Sequence, residues 1–472
     1  MHILMAQCYF RVLDPKEYSR QMPYPPLGSL ICAELLRREG HEVTFFDAML
    51  GTPAELMEVY CSDDFDLVVF YDDEFNYLTK MSLSRMRETV LDLAGSIVEP
   101  VVVYSSDAMY VPELYLRSGV DYVLCGEGEF ALLELLGALA GGYSPDGIEG
   151  LHYLKDGRLV DGGRRGLHGC LDDFPDPAFD LVDLSRYRSI WRRHHGYFSL
   201  NLSTSRGCTY GCNWCSKPLW GRTYHAHSPG RVASLMHRLV SSYGVDHFWI
   251  TDDIFGLKKG WLSDFRRVLR EMDFRPRYKC LSRADLLVRG DTVELLKATG
   301  CQTVWIGAES GSQRVLDAME KGIRVEQIRE AVRLCKAAGL EICFFIQFGY
   351  LGEDWNDILK TRQLILDTLP DDIGISVSYP LPGTRFYDIV KDRLGVKRNW
   401  EDSDDLDPLF PGTFPREFYR YLHRLVHNEY RLALVRDSWA PRSIAKRIYH
   451  WLGKKHFERK VKPYISSRIS LT

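Results

Sequence analysis

Short runs dense in β-branched and aromatic residues alternate, along most of the chain, with stretches whose apolar residues recur at helical spacing. His2–Ala6, Glu42–Phe46, Asp66–Tyr71, Val101–Tyr104 and Tyr122–Cys125 read as strands, and Gly28–Arg38 and Leu83–Leu93 as helices between them. A second block follows, with strands at Phe198–Ser203, His247–Thr251, Arg277–Cys280, Thr303–Ile306, Glu341–Phe348 and Ile373–Tyr379. Its helices fall at Arg231–Tyr243, Trp261–Glu271, Thr292–Ala298, Val325–Ala338 and Asn356–Leu369. Parallel strands need helical crossovers, so this alternation restricts the chain to α/β architecture with parallel sheets. The first block predicts a doubly wound, Rossmann- or flavodoxin-like sheet. Between the blocks the texture changes: glycine pairs at Gly141-Gly142 and Gly162-Gly163, then Asp172-Asp-Phe-Pro-Asp-Pro. This reads as a linker, with a small hairpin from Leu151–Leu154 around the turn pair Asp156-Gly157.

One motif carries most of the chemistry. Cys208, Cys212 and Cys215 lie in Arg206-Gly-Cys-Thr-Tyr-Gly-Cys-Asn-Trp-Cys-Ser, a CxxxCxxC spacing. Three thiolates on one tight loop can hold three irons of a [4Fe–4S] cube, whose usual protein ligand is thiolate. The fourth iron then stays open and can chelate the amino and carboxylate groups of S-adenosylmethionine. The alternatives are a zinc knuckle or unrelated cysteines. Zinc sites usually take four ligands, often as two separated pairs, and no second CxxC or HxxxH stands nearby.

The motif resembles the signature of the radical S-adenosylmethionine superfamily, including the aromatic Trp214 before the third cysteine. That resemblance implies that the second block is a partial (β/α)6 barrel, with its site at the carboxyl ends of the strands. Asp252-Asp253, Ser282-Arg-Ala-Asp285, Glu309-Ser-Gly-Ser312, Gln347-Phe-Gly-Tyr-Leu-Gly-Glu353 and Tyr379-Pro-Leu-Pro-Gly-Thr384 all follow strands in this way. By the resemblance, Glu309 accepts from the ribose hydroxyls or the methionine amine, Arg283 pairs with the methionine carboxylate, and Gly349 admits the adenine. Asp252 and Asp253 point to the same mouth. Alternatively, Glu309 and Arg283 pair with each other.

Three stretches of the first block resemble the cobalamin-binding domain fused to many such enzymes: Tyr24-Pro-Pro-Leu-Gly-Ser-Leu, Arg38-Glu-Gly-His-Glu-Val and Gly126-Glu127-Gly128-Glu129. Glycines there are expected to let backbone amides approach a bulky ligand. The Asp-x-His-x-x-Gly motif that supplies a histidine to cobalt in some cobalamin domains is missing, and Ser105-Ser106-Asp107 stands where relatives often carry a glycine pair and a histidine. The expectation is base-off binding without a histidine ligand; the alternative is a flavodoxin-like domain with no corrinoid.

The implied domains are 1–140 (cobalamin-binding-like), 141–195 (crossover), 196–385 (radical barrel) and 386–472 (mainly helical). The implied activity is methylation of an unactivated carbon, or of a phosphinate phosphorus, in a small-molecule intermediate. The implied cofactors are a [4Fe–4S] cluster, S-adenosylmethionine and cobalamin, with a reducing partner such as flavodoxin or ferredoxin. A cyclase-like oxidative reaction, as in anaerobic bacteriochlorophyll synthesis, and a non-catalytic corrinoid- or lipid-binding protein are the alternatives. Net charge is −4 over 472 residues, so bulk electrostatics points to no nucleic-acid partner. The scattered remaining cysteines, the absence of a long apolar stretch and a strand directly after Met1 lead to the expectation of a cytoplasmic protein. Pro415–Val435 reads as an aromatic-rich helix. The basic stretch Arg442–Arg468, with Ile444, Ile448, Trp451 and Leu452 interleaved, reads as a terminal helix, docked on the barrel or touching a membrane surface.

Overall fold

The computed structural model describes residues 1–76, 79, 81, 83–216, 222–436 and 441–469. The first sheet has seven strands: β1 (His2–Ala6), β2 (Glu42–Phe46), β3 (Leu67–Tyr71), β4 (Val101–Tyr104), β5 (Tyr122–Leu124), β6 (Leu151–Lys155) and β7 (Arg158–Asp161). Their order is β2-β1-β3-β4-β5-β6-β7; the first five run parallel and the last two antiparallel. The parallel part has the flavodoxin-like order, whose ligand crevice lies beyond the carboxyl ends of β1 and β3. Leu67–Tyr71 is buried throughout, as a central strand covered on both faces must be. The β6–β7 hairpin turns at Asp156 and Gly157, both at positive φ (52° and 73°), the conformation a tight primed turn requires.

The stretch read as a linker contains a helix, Leu184–His195. The Asp183 carboxylate accepts from the Ser185 and Arg186 amides at its start, and Gly196 ends it at φ 81°. Tyr187 and Trp191 are fully buried, one helical turn apart, while Arg188, Arg192, Arg193 and His194 are exposed.

The second sheet has six strands in the order β15-β14-β13-β12-β11-β8. They are β8 (Ser199–Leu202), β11 (His247–Ile250), β12 (Tyr278–Ser282), β13 (Cys301–Glu309), β14 (Glu341–Phe348) and β15 (Asp372–Val377). The pairs β8–β11, β13–β14 and β14–β15 are parallel. A two-stranded ribbon, β9 (Ser205–Gly207) with β10 (Tyr224–Ala226), leads into the cysteine loop. Strand β13 is longer than expected: it absorbs Gly307–Glu309, with a register shift between Gly307 and Glu309.

The chain divides into two compact units. One comprises Met1–Thr209, Ser216–Tyr278 and Asn399–Asp405; the other comprises Tyr210–Cys215, Lys279–Arg398 and Leu406–Thr472. In the second unit, helix Arg416–Leu434 buries Phe418, Leu422, Leu425 and Val426 on one face. Helix Pro441–Ile469 packs on it through Phe457 against Tyr421 and Tyr464 against Phe418. Among the described residues, no helix is long and apolar enough to cross a membrane.

Candidate functional site

The segment that leads to the cysteines is fixed before it reaches them. Asp252, directly after β11, accepts from the Thr204 amide (2.6 Å), the Ser205 amide (3.1 Å) and the Ser205 hydroxyl (2.7 Å), and also from the Thr204 hydroxyl. Burial pushes its carboxyl up to about 6, against the pull of these donors. Gly207 follows at φ 84°, where a Cβ would stand 2.2 Å from the Thr223 carbonyl oxygen, so only glycine fits.

Arg206, between them, is buried. It donates from Nη1 to Glu127 (2.7 Å) and from Nη2 to Glu129 (2.6 Å), and its guanidinium lies 4.3 Å from the Phe174 ring centroid. Burial opposes its charge, but Glu129 and Glu127 outweigh it and hold the guanidinium protonated. The second Glu127 oxygen accepts from the His168 amide at 2.7 Å. The Gly126–Glu129 turn is thereby tied to the residue two before Cys208. Its glycines serve protein packing: a Cβ at Gly126 would strike the Arg165 backbone at 2.0 Å, and one at Gly128 the Tyr104 ring at 2.6 Å.

Cys208, Cys212 and Cys215 are half-buried, and no cysteine of the chain is in a disulfide. Within the second unit, Asn213 holds the loop by four hydrogen bonds. Its amide and Nδ2 donate to the Met319 and Ala318 carbonyls (3.1 and 2.8 Å), its carbonyl accepts from Phe386 N (2.8 Å), and its Oδ1 accepts from the Tyr350 hydroxyl (3.0 Å). Trp214 packs against a cluster of Val315, Met319, Tyr350, Phe386 and Val390. Arg283 donates to Asp285 (2.9 Å) and to the Lys321 carbonyl (2.8 Å), stacks 3.6 Å over Tyr210, and points Nη1 at the Cys212 sulfur, 3.8 Å away.

Glu309 does not pair with Arg283. It pairs with Lys321, at 2.8 Å, and both side chains are buried. Burial opposes the ammonium, but Glu309 keeps the Lys321 pKa above its ordinary value. Glu309 stands at φ 57°, a left-handed conformation that a carboxylate-bearing residue adopts at a cost in backbone energy. The bend folds the carboxylate over Gly307, where a Cβ would fall 2.2 Å from Oε1 and 2.6 Å from Lys321 Nζ. The other oxygen, Oε2, is buried without a partner, as is Trp214 Nε1. A buried, orphaned carboxylate oxygen on a strained strand end is what a missing donor would satisfy.

Gly349, at φ 82°, closes β14, and a Cβ there would stand 3.0 Å from the Tyr419 ring. Its amide donates to Glu353 at 2.6 Å. Burial pushes the Glu353 carboxyl up to about 8, and its Oε1 is a second orphan. Lys321 was not singled out from sequence, and Asn213 and Glu353 stood in the cysteine and strand-end motifs without a role. Lys321 follows a helix rather than a strand, and the signal that could have found it is the lone basic residue in Met319-Glu-Lys-Gly322 after the Glu309 motif.

At the carboxyl ends of β1, β3 and β4, Cys8, Tyr9, Asp72, Arg87, Ser105 and Asp107 line a cavity of about 20 Å³, the room of a single water. Asp107 accepts two bonds from Arg87 (2.6 Å each) and one from Tyr115 (2.7 Å). The Ser105 hydroxyl caps the short helix Ser106–Tyr110. Gln7 Nε2, Tyr71 Oη and Ser106 Oγ, none of them in the lining of this cavity, are also buried without partners. Among the described residues, no histidine lines this cavity. The Tyr24–Gly28 stretch is anchored by protein contacts: Asn201 Nδ2 donates to the Pro25 carbonyl (2.8 Å), Tyr24 packs on Trp191 and Trp249, and Gly28 N donates to Asp73 (3.0 Å).

Residues 202–365, which span this cysteine loop and the strand ends β8 to β14, match the Radical SAM superfamily. Residues 202–365 carry a radical SAM domain. The chain is 29% identical over 393 residues to an uncharacterized methyltransferase of Pyrococcus horikoshii, covering 82% of this chain and 83% of that one. It is 25% identical over 385 residues to the anaerobic magnesium-protoporphyrin IX monomethyl ester cyclase of Synechocystis sp., covering 79% and 74%. In fold it is similar to OxsB, a cobalamin-dependent S-adenosylmethionine radical enzyme solved with aqua-cobalamin, at TM-score 0.72 and 18% identity over 97% of this chain and 71% of that one. The chain thus carries a radical SAM domain, resembles a methyltransferase-named relative and a cyclase in sequence, and shares its fold with a cobalamin-dependent radical enzyme.

The donor set fits what a radical SAM protein needs. Among the described residues, no three Cys, His, Asp or Glu side chains converge on a single ion. A cube-type cluster asks for something else: each thiolate caps a different iron, so half-buried thiols spread along one pinned loop suit it. At the first sheet, the orphaned hydroxyl of Ser106, just beyond the carboxyl end of β4, suits a ligand rich in amide groups. The 20 Å³ cavity requires the side chains around it to part for anything larger than water.

Proposed function

We propose that this protein is a cobalamin-dependent radical SAM methyltransferase acting on an unactivated carbon, or a phosphinate phosphorus, of a small-molecule biosynthetic intermediate. In this reading residues 1–140 carry the corrinoid, 141–195 form the crossover, 196–385 form the radical barrel and 386–472 form the mainly helical carboxyl-terminal region. The observation that carries it is the Glu309–Lys321 pair beside the cysteine loop, with its strained backbone and orphaned Oε2.

When bound, the cluster, S-adenosylmethionine and cobalamin would supply one-electron sulfonium cleavage and a methyl carrier. The chain's own residues bind and orient. Cys208, Cys212 and Cys215 are the cluster ligands. Arg283 directs an N–H at the Cys212 sulfur; hydrogen bonds to ligand sulfur tune such clusters. Glu309 accepts the α-ammonium or ribose hydroxyls of S-adenosylmethionine at Oε2, and Lys321 stands beside it as a cation for the carboxylate. Trp214 offers Nε1 as a further donor and, with Tyr350 and Phe386, an apolar wall that excludes water. Asp252, Gly207 and Asn213 position the cysteine loop. Ser105, Ser106 and Asp107, beyond the carboxyl end of β4, hold the corrinoid edge without a histidine ligand. A reducing partner such as flavodoxin or ferredoxin supplies the electron.

A second reading keeps both cofactors but ends in ring formation or oxidation without net methylation. The similarity to the magnesium-protoporphyrin ester cyclase, over nearly as much of the chain, favours keeping it in the test. The protein is reconstituted anaerobically with iron, sulfide and hydroxocobalamin, reduced and given S-adenosylmethionine. Both 5′-deoxyadenosine and S-adenosylhomocysteine, with one corrinoid bound per chain, are expected. Deoxyadenosine alone with corrinoid bound favours the cyclase-like reading, and deoxyadenosine without bound corrinoid overturns the cobalamin assignment.

A further inference from the structure

The carboxyl-terminal helix shows solvent an apolar stripe that a helix packed only for stability would turn inward. On helix Pro441–Ile469, His450 and Val461 are buried and Phe457 and Tyr464 meet helix Arg416–Leu434. The Lys454 ammonium reaches Glu429 of that helix at 3.2 Å. These residues define the docked face.

The opposite face begins with Ile444, Ile448 and Leu452, spaced four apart, with Trp451 beside them. They are 39%, 56%, 55% and 50% exposed, and Tyr449 next to the stripe is 71% exposed. Large apolar side chains on one stripe in water form a patch that marks an interaction surface. The same stripe then changes character at helical spacing: Lys455, Arg459 and Lys462 continue it, all exposed. Arg442 and Lys446 add positive charge at the amino end. Glu458, half-buried and 3.4 Å from Lys455 and 3.7 Å from Lys454, is the single acidic residue from 441 to 469. A chain of net charge −4 therefore concentrates cations on one outward helix face whose leading turns are apolar.

We propose that this outward face is a docking surface for an anionic phospholipid bilayer. Ile444, Ile448, Trp451 and Leu452 enter the acyl boundary while Lys455, Arg459 and Lys462 meet the headgroups. An amphipathic helix lying in the interface binds through buried apolar area plus attraction to anionic lipid, and both halves of that requirement are present on one stripe. A second copy packed parallel would bring Lys455, Arg459 and Lys462 against their own like charges, and one packed antiparallel would set them against Ile444, Ile448 and Leu452. A bilayer of opposite charge satisfies both the apolar turns and the cations. The docking concerns where the enzyme works and is independent of which cofactors the barrel takes.

Full-length protein is floated with vesicles of phosphatidylglycerol and phosphatidylcholine, and with phosphatidylcholine alone. Binding to the anionic vesicles and weaker binding to the neutral ones are expected. Ile448→Glu with Trp451→Glu removes two inserting side chains and lowers the bound fraction by about tenfold or more. Charge reversal at Lys455, Arg459 and Lys462 abolishes the preference for anionic lipid and the sensitivity of binding to salt. The substituted side chains are exposed, so deoxyadenosine formation in solution is expected to be unchanged in every variant. No flotation of the wild type with either vesicle overturns the proposal. So does a concentration-dependent dimer that Ile448→Glu with Trp451→Glu dissociates, because the face would then join two copies. Neither result bears on the radical reaction, which the nucleoside assay reports separately.

Discussion

Asp252 and Glu309 are both acidic residues at the carboxyl end of a parallel strand, and in the sequence they look alike. Asp252 is saturated by the backbone and hydroxyl donors of Thr204 and Ser205. Glu309 has Lys321 on one oxygen and nothing on the other, at a backbone conformation that costs energy. Every lone pair that Asp252 can offer is spent on its own chain, so it positions the cysteine segment. Glu309 keeps acceptor capacity in a dry site, so it is built to receive a donor from outside. Partner saturation, more than charge or strand-end position, separates the two roles.

The largest effect should come from neutralising the unsaturated member. Removing Glu309 alone would strand the buried Lys321 charge, so the pair is replaced together as Glu309→Gln with Lys321→Met. Deoxyadenosine formation is expected to fall by about a hundredfold or more, from loss of charge-assisted bonds worth about 1.5–3 kcal/mol each, while iron content is retained. Asp252→Ala should show the opposite signature. It orphans the Thr204 and Ser205 donors, lowers stability by about 3 kcal/mol in denaturant unfolding, and lowers iron incorporation in proportion to the disordered loop. If Asp252→Ala binds S-adenosylmethionine poorly while remaining fully folded and iron-loaded, the distinction between the two carboxylates fails.

Glu353 sharpens the comparison by pH. Its carboxyl, raised by burial to about 8, holds its proton in the folded state, whereas an unfolded glutamate releases it near its ordinary value of 4.5. Between those values the folded state binds more protons, so this residue makes stability fall as pH rises from about 4.5 to about 8, and the loss is complete above the folded value. Glu353→Gln cannot ionise and should lack this slope, gaining on the order of 5 kcal/mol over wild type at pH 9 relative to pH 4. Parallel stability profiles for the two proteins would show that the orphaned Oε1 is hydrated after all. The smallest effect is expected at Gly349→Ala. The positive φ and the Tyr419 ring cost about 1 kcal/mol in thermal or denaturant unfolding, without loss of S-adenosylmethionine binding.

The strands were legible because buried parallel strands are nearly continuous apolar runs. His2–Ala6, Val101–Tyr104 and Glu341–Phe348 stand where the runs place them. Helix Leu184–His195 was not legible, since its inward residues are only Leu184, Tyr187 and Trp191 among arginines and histidines. Its position is decided by what Trp191 packs on, including a bond from its indole N–H to the Pro23 carbonyl at 2.7 Å. In the site, residue types at strand ends could be read, but partners could not. Lys321 reaches Glu309 from beyond a helix, and Arg283 turns instead to Asp285. The glycines of Gly126–Gly128 and Gly349 were read as places where backbone approaches a ligand, and the protein neighbours that a Cβ would strike there were not legible. What fills the space, the Arg165 backbone and the Tyr104 and Tyr419 rings, comes from segments distant in sequence.

The most direct measurement is the affinity for S-adenosylmethionine of iron-loaded wild type, Asp252→Asn and the Glu309→Gln, Lys321→Met double variant, by anaerobic equilibrium dialysis. Similar affinity for wild type and Asp252→Asn, and at least about tenfold weaker binding for the double variant, is the expected result. Equal affinity across all three, with iron loading equal, would contradict the assignment of the unsaturated carboxylate as the grip on S-adenosylmethionine.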